Sequence, residues 1–296
     1  MPEATHRSGF VSFIGRPNVG KSTLLNAFIG RKVAITSKKP QTTRNAIRGV
    51  LTGEDWQIVF VDTPGLHKPK TLLGERLNDV VRRTLGEVDA VVFMLDATQP
   101  AGTGDEFVAR EVLRSGTPAI CVVNKMDSAK HEDIVKQLTA AQALGEWREI
   151  LPISAARGTN VDMLQGLLVS LLEPGPQFYP DGMVSDQPQD VLLAEIVREK
   201  ALQLTRQEIP HSIAVVTEET IDREDGVFEI HAIVYVERDS QKGIVIGKGG
   251  AMLKEIGTRA RHDLEWLLGT KVFLRLQVKV SKDWQRDPKA LERLGY

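Results

Sequence analysis

The sequence has few of the features that mark exported or membrane proteins. Cys121 is the single cysteine among 296 residues, which excludes an intramolecular disulfide and fits a reducing cytoplasm. No apolar run approaches the roughly 18 residues of a candidate membrane-spanning helix. The N-terminal segment MPEATHRSG lacks the apolar core of a signal peptide. We therefore expect a protein that is made and kept in the cytoplasm.

The sequence also has almost no net charge. Its 38 basic and 39 acidic residues leave a formal charge of −1, so the total indicates neither a nucleic-acid nor a membrane partner. Hydrophobic residues make up 42% and charged residues 26%, which is typical of a globular protein. A chain of 296 residues is too long for one ordinary core, and this length predicts two domains.

The most specific motif lies near the N-terminus. The apolar run Phe10–Ile14 predicts a buried strand, and Lys21 opens a segment with helical character that ends near Ile29. Between them, GRPNVGKS fits the pattern G-x-x-x-x-G-K-[ST] in the strand–loop–helix context that a phosphate-binding loop requires. Loop amides and the helix N-terminus would surround the phosphates, with Lys21 reaching the β- and γ-phosphates and Ser22 binding Mg²⁺. An ordinary glycine-rich turn is the weaker interpretation, because the motif is long and its context fits.

The next segment is polar and basic. Residues 31–45, RKVAITSKKPQTTRN, predict an exposed loop that contains Thr42 and Thr43. In a nucleotide switch, a threonine hydroxyl at this place completes the Mg²⁺ shell while the γ-phosphate is present. A solvated threonine pair is the ordinary alternative.

A second metal and phosphate element follows. Ala46–Thr52 and Gln57–Val61 predict strands, and the second leads directly into DTPG, residues 62–65. Asp62 is placed to hold Mg²⁺ through water, and Gly65 leaves its N–H free to approach the γ-phosphate.

A third motif indicates which base is bound. The apolar runs Ala90–Asp96 and Ala119–Val123 predict buried parallel strands, and the second ends in NKMD, residues 124–127. The Asp127 carboxylate can accept from guanine N1–H and N2–H₂, Asn124 can bond O6 and N7, and the Lys125 stem can cover the ring. The run 150–153 ends in Ser154 and Ala155, whose backbone is expected to donate to guanine O6. All motifs end successive strands, where open α/β sheets bind ligands, so the predicted nucleotide is GTP.

The second half has a different pattern. EPGPQFYPDGMVSDQPQ, residues 173–189, is rich in proline and glycine and predicts a domain boundary. A helix is predicted after it at 191–205, followed by strands at 212–217 and 227–236. Next come a helical stretch and the GxxG loop within 243–250, a helix ending at Leu268 and a last strand at 271–280. The order α-β-β-α-GxxG-α-β matches a type II KH domain. The predicted RNA contacts are the loop amides and one side chain, at Gly247, Lys248, Gly249 and Gly250.

Charge supports an RNA-binding surface here. Residues 241–282 contain nine Lys and Arg against three acids, a balance of +6, whereas 186–240 is acidic. Lys271, Arg275 and Lys279 alternate with aliphatic residues, which places cations on one face of a strand. The alternatives are a merely solvated basic face and an ordinary glycine turn.

The sequence resembles the bacterial Era family of GTPases in five motifs, GRPNVGKSTLLN, PQTTRN, DTPGLH, NKMD and ISA. The resemblance runs from Phe10 to the closing LERLGY. It implies an α/β P-loop GTPase domain over 8–173, a linker over 174–190, an α+β type II KH domain over 191–282 and a tail over 283–296. It also implies GTP hydrolysis, binding near the 3′ end of 16S rRNA and a role in maturation of the 30S subunit. The family is reported at the inner face of the cell membrane, although nothing in the sequence looks like a lipid anchor. We expect a monomer.

The resemblance also implies particular site residues. Leu66 stands where related GTPases often carry a glutamine that positions water, so hydrolysis needs another source of electrostatic help. Asn18 matches an asparagine through which some relatives bind K⁺, and a turn residue satisfying its own backbone is the open alternative. The family's switch threonine falls at Thr43 rather than Thr42. The expected catalytic residues are Lys21, Thr43, Gly65 and Asn18, and the expected Mg²⁺ ligands are Ser22, Thr43 and Asp62. The expected nucleotide contacts are Gly15, Arg16, Pro17, Asn18, Val19, Gly20, Lys21, Ser22, Thr23, Asp62, Thr63, Pro64, Gly65, Leu66, Asn124, Lys125, Met126, Asp127, Ser154 and Ala155.

Two other functions compete with a GTP-dependent RNA-binding switch. One is a metabolic enzyme that couples GTP to a small substrate, but the second half offers basic residues and a GxxG loop rather than acid–base groups. The other is a KH protein that uses GTP structurally without hydrolysing it.

Overall fold

The computed structural model describes residues 6–37, 39, 42–44, 46–66, 69, 71–205 and 209–296, without the side chains of 210 and 211. Its residues group into two compact units. The first unit spans 1–34, 43–69 and 74–186, and the second spans 35–42, 70–73 and 187–296. The main division, after residue 186, falls inside the segment for which the sequence predicts a linker. Pro40, Gln41, Asn45 and His67 of the predicted loop motifs lie outside the described residues.

The first unit is built on one six-stranded sheet with the order β2-β3-β1-β4-β5-β6. Only the β2–β3 pair is antiparallel, with Ile47 opposite Asp62; the other neighbours are parallel. The predicted mostly parallel sheet is therefore confirmed. The strands are β1 Arg7–Gly15, β2 Ile47–Thr52, β3 Trp56–Asp62, β4 Ala90–Asp96, β5 Ala119–Asn124 and β6 Ile150–Pro152. The helices described before residue 186 are α1 Lys21–Ile29, α2 Leu72–Leu85, α3 Thr103–Ser115, α4 His131–Leu144 and α5 Val161–Leu171.

Two separate apolar clusters form the core of this unit. In one, Phe28 stacks on Phe60 with ring centroids 4.5 Å apart, beneath α1 and α5. In the other, Phe93 stacks on Trp147 at 4.8 Å, beneath α3 and α4. Cys121 is buried in the second cluster, and burial raises the pKa of its thiol, so it packs as a core residue. Because both faces are covered, the carboxyl ends of the strands are left to form a site.

Much of the segment with linker composition is held against β2 and β3. The Gln57 side-chain oxygen accepts from the backbone N–H groups of Phe178 (2.8 Å) and Tyr179 (3.0 Å). The N–H of Val50 donates to the Val184 carbonyl at 2.9 Å. Since these backbone groups have partners, the stretch up to residue 186 is an ordered part of the first unit despite its many prolines and glycines.

The second unit follows the predicted order α-β-β-α-GxxG-α-β, with two additional short α-helices among the described residues, one before the first strand and one after the last. Its elements are α6 Gln189–Leu204, α7 Ile209–Ser212, β7 Ala214–Asp222, β8 Val227–Val236, α8 Asp239–Ile246, α9 Ala251–Leu268, β9 Lys271–Val280 and α10 Pro288–Arg293. β7 pairs antiparallel with β8, which pairs parallel with β9. Along β9, Lys271, Phe273, Arg275, Gln277 and Lys279 are exposed, while Val272 and Val278 are buried. The predicted alternation of cations and apolar residues is present.

Residues 283–296 form more structure than the term tail implies. Trp284 is fully buried and stacks on Tyr296 at 5.6 Å. The Asp287 side chain accepts from the Lys289 N–H at 3.0 Å, with Pro288 at the start of α10. An aspartate followed by proline is a helix-start signal that the sequence interpretation passed over.

α6 buries charge as well as the predicted apolar stripe. Arg198, Glu199 and Lys200 are all buried. Arg198 pairs with Glu195 at 2.6 Å, and Lys200 pairs with Glu199 at 3.0 Å and with Asp263 of α9 at 2.5 Å. These charges are tolerated because each has an opposite partner. Among the described residues, no helix is both long and apolar enough to cross a membrane.

Candidate nucleotide site and glycine-rich loop

The loop between β1 and α1 wraps around a lysine ammonium. Lys21 Nζ donates to the carbonyls of Gly15 (3.1 Å) and Arg16 (3.0 Å). Gly20 has a φ of 106°, and a Cβ there would lie 2.3 Å from Asn124 Nδ2, so only glycine fits. α1 has no acidic residue in its first turn, which leaves its N-terminus positive. The loop and helix together form a site for an anion, as the motif predicts.

Lys21 is buried without a full counter-charge. Burial lowers the pKa of Lys21 to about 8, and the nearby Asp62 carboxylate opposes that shift. A phosphate group in the loop would supply the missing negative charge and raise the pKa again.

The three predicted Mg²⁺ ligands lie together. Asp62 Oδ2 accepts from Ser22 Oγ at 2.6 Å and from Thr43 Oγ1 at 3.0 Å, and the two hydroxyl oxygens are 2.9 Å apart. Asp62 Oδ1 is buried and has no hydrogen-bond partner in the described structure. Burial raises the pKa of Asp62, while the Ser22 hydrogen bond and the Lys21 charge oppose the rise.

This donor set fits Mg²⁺ that is shared with a nucleotide. The ligands are oxygens, and the orphaned carboxylate oxygen lacks the positive partner that a cation would provide. No group of three or more His, Cys, Asp or Glu residues suited to a metal occurs in the described chain. A cation here would therefore take most of its ligands from phosphates and water, as Mg²⁺ does in nucleotide sites.

The structure distinguishes the two threonines of the predicted switch loop. The Thr42 hydroxyl donates to the Lys39 carbonyl at 2.7 Å, whereas the Thr43 hydroxyl contacts Asp62. Thr43, the residue implied by the family resemblance, therefore lies with the other predicted Mg²⁺ ligands.

The DTPG segment approaches the phosphate loop closely. A Cβ on Gly65 would lie 2.6 Å from the Pro17 nitrogen, so a glycine is needed for the two loops to meet. Thr63 Oγ1 donates to the Phe13 carbonyl at 3.0 Å and secures the segment to β1. Pro64 lies between Thr63 and Gly65 in the chain. The Leu66 side chain is buried in the apolar core, so it offers a water molecule no hydrogen bond.

The NKMD segment is cross-linked to the phosphate loop. Asn124 Nδ2 donates to the Val19 carbonyl at 2.8 Å, and Lys125 Nζ donates to the Asn18 carbonyl at 2.7 Å. The segments predicted to bind the base and the phosphates are thus fixed relative to each other. Of the other predicted contacts, Thr23 lies in the first turn of α1, and the Met126 N–H donates to the Ile153 carbonyl at 3.2 Å.

Two hydroxyl groups orient the Asp127 carboxylate. Its oxygens accept from Ser154 Oγ at 2.6 Å and from Ser128 Oγ at 2.8 Å. These hydrogen bonds, that of Ser154 first, lower the pKa of Asp127, so the carboxylate is ionised at neutral pH. Ser128 is not among the site residues predicted from the sequence, although it directly follows NKMD.

The structure bears on two other predicted roles. The Ala155 N–H, expected to donate to guanine O6, donates instead to Asn124 Oδ1 at 3.0 Å, and the Ser154 N–H donates to the Thr159 carbonyl at 3.1 Å. The Asn124 side chain lies between the phosphate loop and this amide, so its oxygen takes the hydrogen bond that the motif assigns to the base. Asn18 has a φ of 67°, which is the turn geometry of the alternative interpretation; K⁺ binding there stays a prediction.

The GxxG loop of the second unit presents an exposed cation at a helix N-terminus. Gly249 and Gly250 have φ values of 60° and 81°, and α9 begins directly after them without an acidic residue in its first turn. Lys248 is exposed and has no ion-pair partner among the residues that the structure describes. Glu255 is paired with Arg259 at 2.7 Å, which partly neutralises a nearby acid. The geometry suits a phosphate backbone.

Comparisons with known proteins identify a domain family in each half of the chain. Residues 10–125 match the family described as 50S ribosome-binding GTPase, and residues 208–285 match the KH domain family. GTPase Era of Mycolicibacterium smegmatis is 54% identical over 295 residues, covering 98% of this chain and 99% of that protein. GTPase Era of Streptomyces coelicolor is 53% identical, covering 99% and 96%.

Two solved structures are similar along nearly the whole chain. The crystal structure of a single-substitution variant of Aquifex aeolicus Era bound to GDP·AlF₄⁻ has a TM-score of 0.94 at 40% identity, covering 98% of this chain and 99% of that one. A structure of Era in complex with MgGDPNP and nucleotides 1506–1542 of 16S ribosomal RNA has a TM-score of 0.93, also at 40% identity and with the same coverage.

Proposed function

Because the chain belongs to the Era family of GTPases and carries a KH domain, we propose that it is a GTP-dependent switch that binds 16S rRNA near its 3′ end and acts in 30S subunit biogenesis. The working parts are the GTPase domain at 8–173 and the KH domain at 191–282, with residues 174–190 between them and 283–296 after them. The protein works in the cytoplasm, as a monomer, with peripheral contact at the inner face of the cell membrane.

One observation carries the nucleotide half of the proposal. The Ser22–Thr43–Asp62 cluster leaves a buried carboxylate oxygen without a partner, beside a buried lysine that has no full counter-charge. Mg²⁺ would give the carboxylate oxygen a positive partner, and the phosphates of a nucleoside triphosphate would place negative charge beside the lysine. The orientation of Asp127 by two hydroxyls supports guanine as the base.

Hydrolysis uses positioning and charge rather than a side-chain base. Lys21 and the loop amides hold the phosphates, and the Gly65 N–H faces the γ-phosphate. Ser22 and Thr43 would hold Mg²⁺, which would supply positive charge to the phosphate oxygens. Leu66 cannot orient the attacking water, and a K⁺ ion held by Asn18 would supply the additional positive charge.

RNA binding belongs to the second half of the chain. The solved relative with 16S nucleotides 1506–1542 supports the same target for this protein. The backbone amides of Gly247, Gly249 and Gly250 hold consecutive phosphates together with Lys248, and the bases provide specificity.

Turnover measurements test this function. GTP hydrolysis by the full chain is measured in K⁺ and in Na⁺, with and without an RNA of the 16S 3′ end. We expect slow turnover that is faster in K⁺ and that responds to the RNA. Absence of hydrolysis under all four conditions would favour a KH protein that uses GTP structurally. Equal turnover in K⁺ and Na⁺ would remove the role given to Asn18.

A further inference from the structure

Asp96 is a buried carboxylate outside all the predicted motifs. It ends β4, beside β5, and its side chain is 4% exposed. From the sequence it is only the last residue of an apolar strand. A buried carboxylate needs partners, and those of Asp96 lead to the nucleotide site.

Both carboxylate oxygens of Asp96 are engaged. Oδ2 lies 2.6 Å from Lys125 Nζ. Oδ1 accepts from the backbone N–H of Thr98 at 2.9 Å and from its hydroxyl at 2.6 Å. Burial raises the pKa of Asp96, but the hydrogen bonds from Lys125 and Thr98 outweigh it, so the net shift is downward. The group is therefore a fixed anion at neutral pH.

The partner lysine is held at both ends. Its ammonium lies between Asp96 and the Asn18 carbonyl of the phosphate loop, 2.7 Å from the latter. Its backbone has a φ of 68°. A lysine side chain normally has large rotamer freedom, and these anchors remove much of it before a ligand arrives.

Asp96 is itself fixed from a neighbouring helix. Gln137 of α4 is buried, and its Nε2 donates to the Asp96 carbonyl at 3.1 Å and also to the Gln99 carbonyl. Gln137 Oε1 accepts from the Ala101 N–H at 3.3 Å. The backbone conformation of the loop after β4 is therefore fixed by contacts that do not involve the nucleotide.

We propose that Asp96 is a positioning residue for guanine binding, which holds the Lys125 ammonium against the phosphate loop so that the lysine stem lies across the base. The inference rests on the proposed guanine site. The stem contact involves the ring face and not the N2 amino group. Loss of Asp96 should therefore weaken GTP, GDP and ITP alike, whereas damage to Asp127 would change the ratio between GTP and ITP.

The test compares Asp96→Asn with Asp89→Asn in the full chain. Asp89 lies just before the other end of β4 and accepts from the Phe10 N–H at 2.7 Å. Affinities are measured with a fluorescent GDP, using GTP and ITP as competitors. We expect Asp96→Asn to weaken all three nucleotides about ten-fold, with an unchanged GTP to ITP ratio and little change in kcat. Asp89→Asn should bind all three normally.

Lys125→Met provides the second arm. If Asp96 acts through Lys125, adding Asp96→Asn to Lys125→Met causes no further loss of affinity. Normal affinity in Asp96→Asn, a changed GTP to ITP ratio, or a further loss in the double variant overturns the proposal. Normal affinity in Lys125→Met alone also overturns the proposal, since the ammonium would then contribute nothing to binding. That result leaves the guanine assignment intact, because the assignment rests on Asp127. Should Asp96→Asn fail to fold, Thr98→Val, which removes one donor to Asp96, takes its place in the same cycle, with a smaller expected loss.

Discussion

Asp127 shows how single residues depend on neighbours that the NKMD motif does not include. The motif predicts a carboxylate for guanine, and the structure adds the two serine hydroxyls that fix its direction. The predicted acceptor for guanine is therefore oriented by residues beyond the motif, including one in the loop after β6.

Asp127→Asn should exchange guanine preference for xanthine preference. An amide presents N–H₂ groups toward guanine's two donors, whereas xanthine offers a carbonyl at the same place. We expect GTP to bind more weakly by about 1–3 kcal/mol for each lost hydrogen bond, and XTP to become the better ligand. Competition between GTP, XTP and ATP measures this, with Asp133→Asn, half-exposed in the first turn of α4, as control. Unchanged preference for GTP in Asp127→Asn would contradict the assignment of the base.

Lys21 makes nucleotide binding depend on pH. Without nucleotide its pKa is about 8, below the ordinary 10.5, so at about pH 9 the amine is mostly neutral. Phosphate favours the charged form, so binding must take up a proton above pH 8 and almost none at about pH 7. Calorimetry of GDP binding in buffers of different ionisation enthalpy measures the uptake. Equal uptake at both pH values would mean that Lys21 is not the group that titrates.

Some residue-level facts could not be predicted from sequence. Thr42 and Thr43 have the same chemistry, and only the direction of the backbone decides which hydroxyl meets Asp62. The Ala155 amide was assigned to guanine from the motif order, but its acceptor depends on where the Asn124 side chain lies. Such choices depend on tertiary geometry, which local sequence patterns do not contain.

Elements were predictable where their periodicity was strong. β4 and β9 occupy the predicted ranges, because one is uniformly apolar and the other alternates strictly. α10 was missed because it is short and its start signal is an Asp–Pro pair in a charged segment. The buried charges of α6 were missed because the periodicity analysis considers only apolar residues. Burial of Lys200 is possible because Glu199 and Asp263 neutralise its charge.

The Lys200 cluster should stabilise the contact between α6 and α9. Asp263→Asn removes one of the two carboxylates that offset burial of the ammonium. Because Asp263 is 28% exposed, we expect a loss of about 1–2 kcal/mol rather than the larger cost of a fully buried pair. Hydrogen exchange read by mass spectrometry should show faster exchange in α6 and α9 and no change in α1. Asp133→Asn serves as control, and unchanged exchange in α6 would refute the prediction.

At the scale of the whole molecule, two sets of motifs predicted two folded units. Each unit has its own apolar core, and each carries one candidate site built from backbone amides at a helix N-terminus. Composition alone would have made residues 173–186 a free linker, but the Gln57 side chain holds this stretch to the first unit. Such a contact between distant residues has no local signal.

Gly249→Asp tests whether this one chain carries a GTP site and a separate RNA site. A Cβ at Gly249 would meet no atom within 4 Å, so the variant adds negative charge at the loop without a clash. Gly226→Asp is a matched control, since Gly226 has a similar φ of 77° and equally open surroundings. Lys248→Ala should be milder and reduce the salt dependence by about one phosphate contact.

Filter binding of a 16S 3′-end oligonucleotide at several salt concentrations is measured beside GTP titration of the same full-length proteins. We expect Gly249→Asp to lose most RNA binding and keep its GTP affinity, and Gly226→Asp to keep both. Undiminished RNA affinity in Gly249→Asp would show that the GxxG loop is only a turn, and a parallel loss of GTP binding would show that the two sites are not separate.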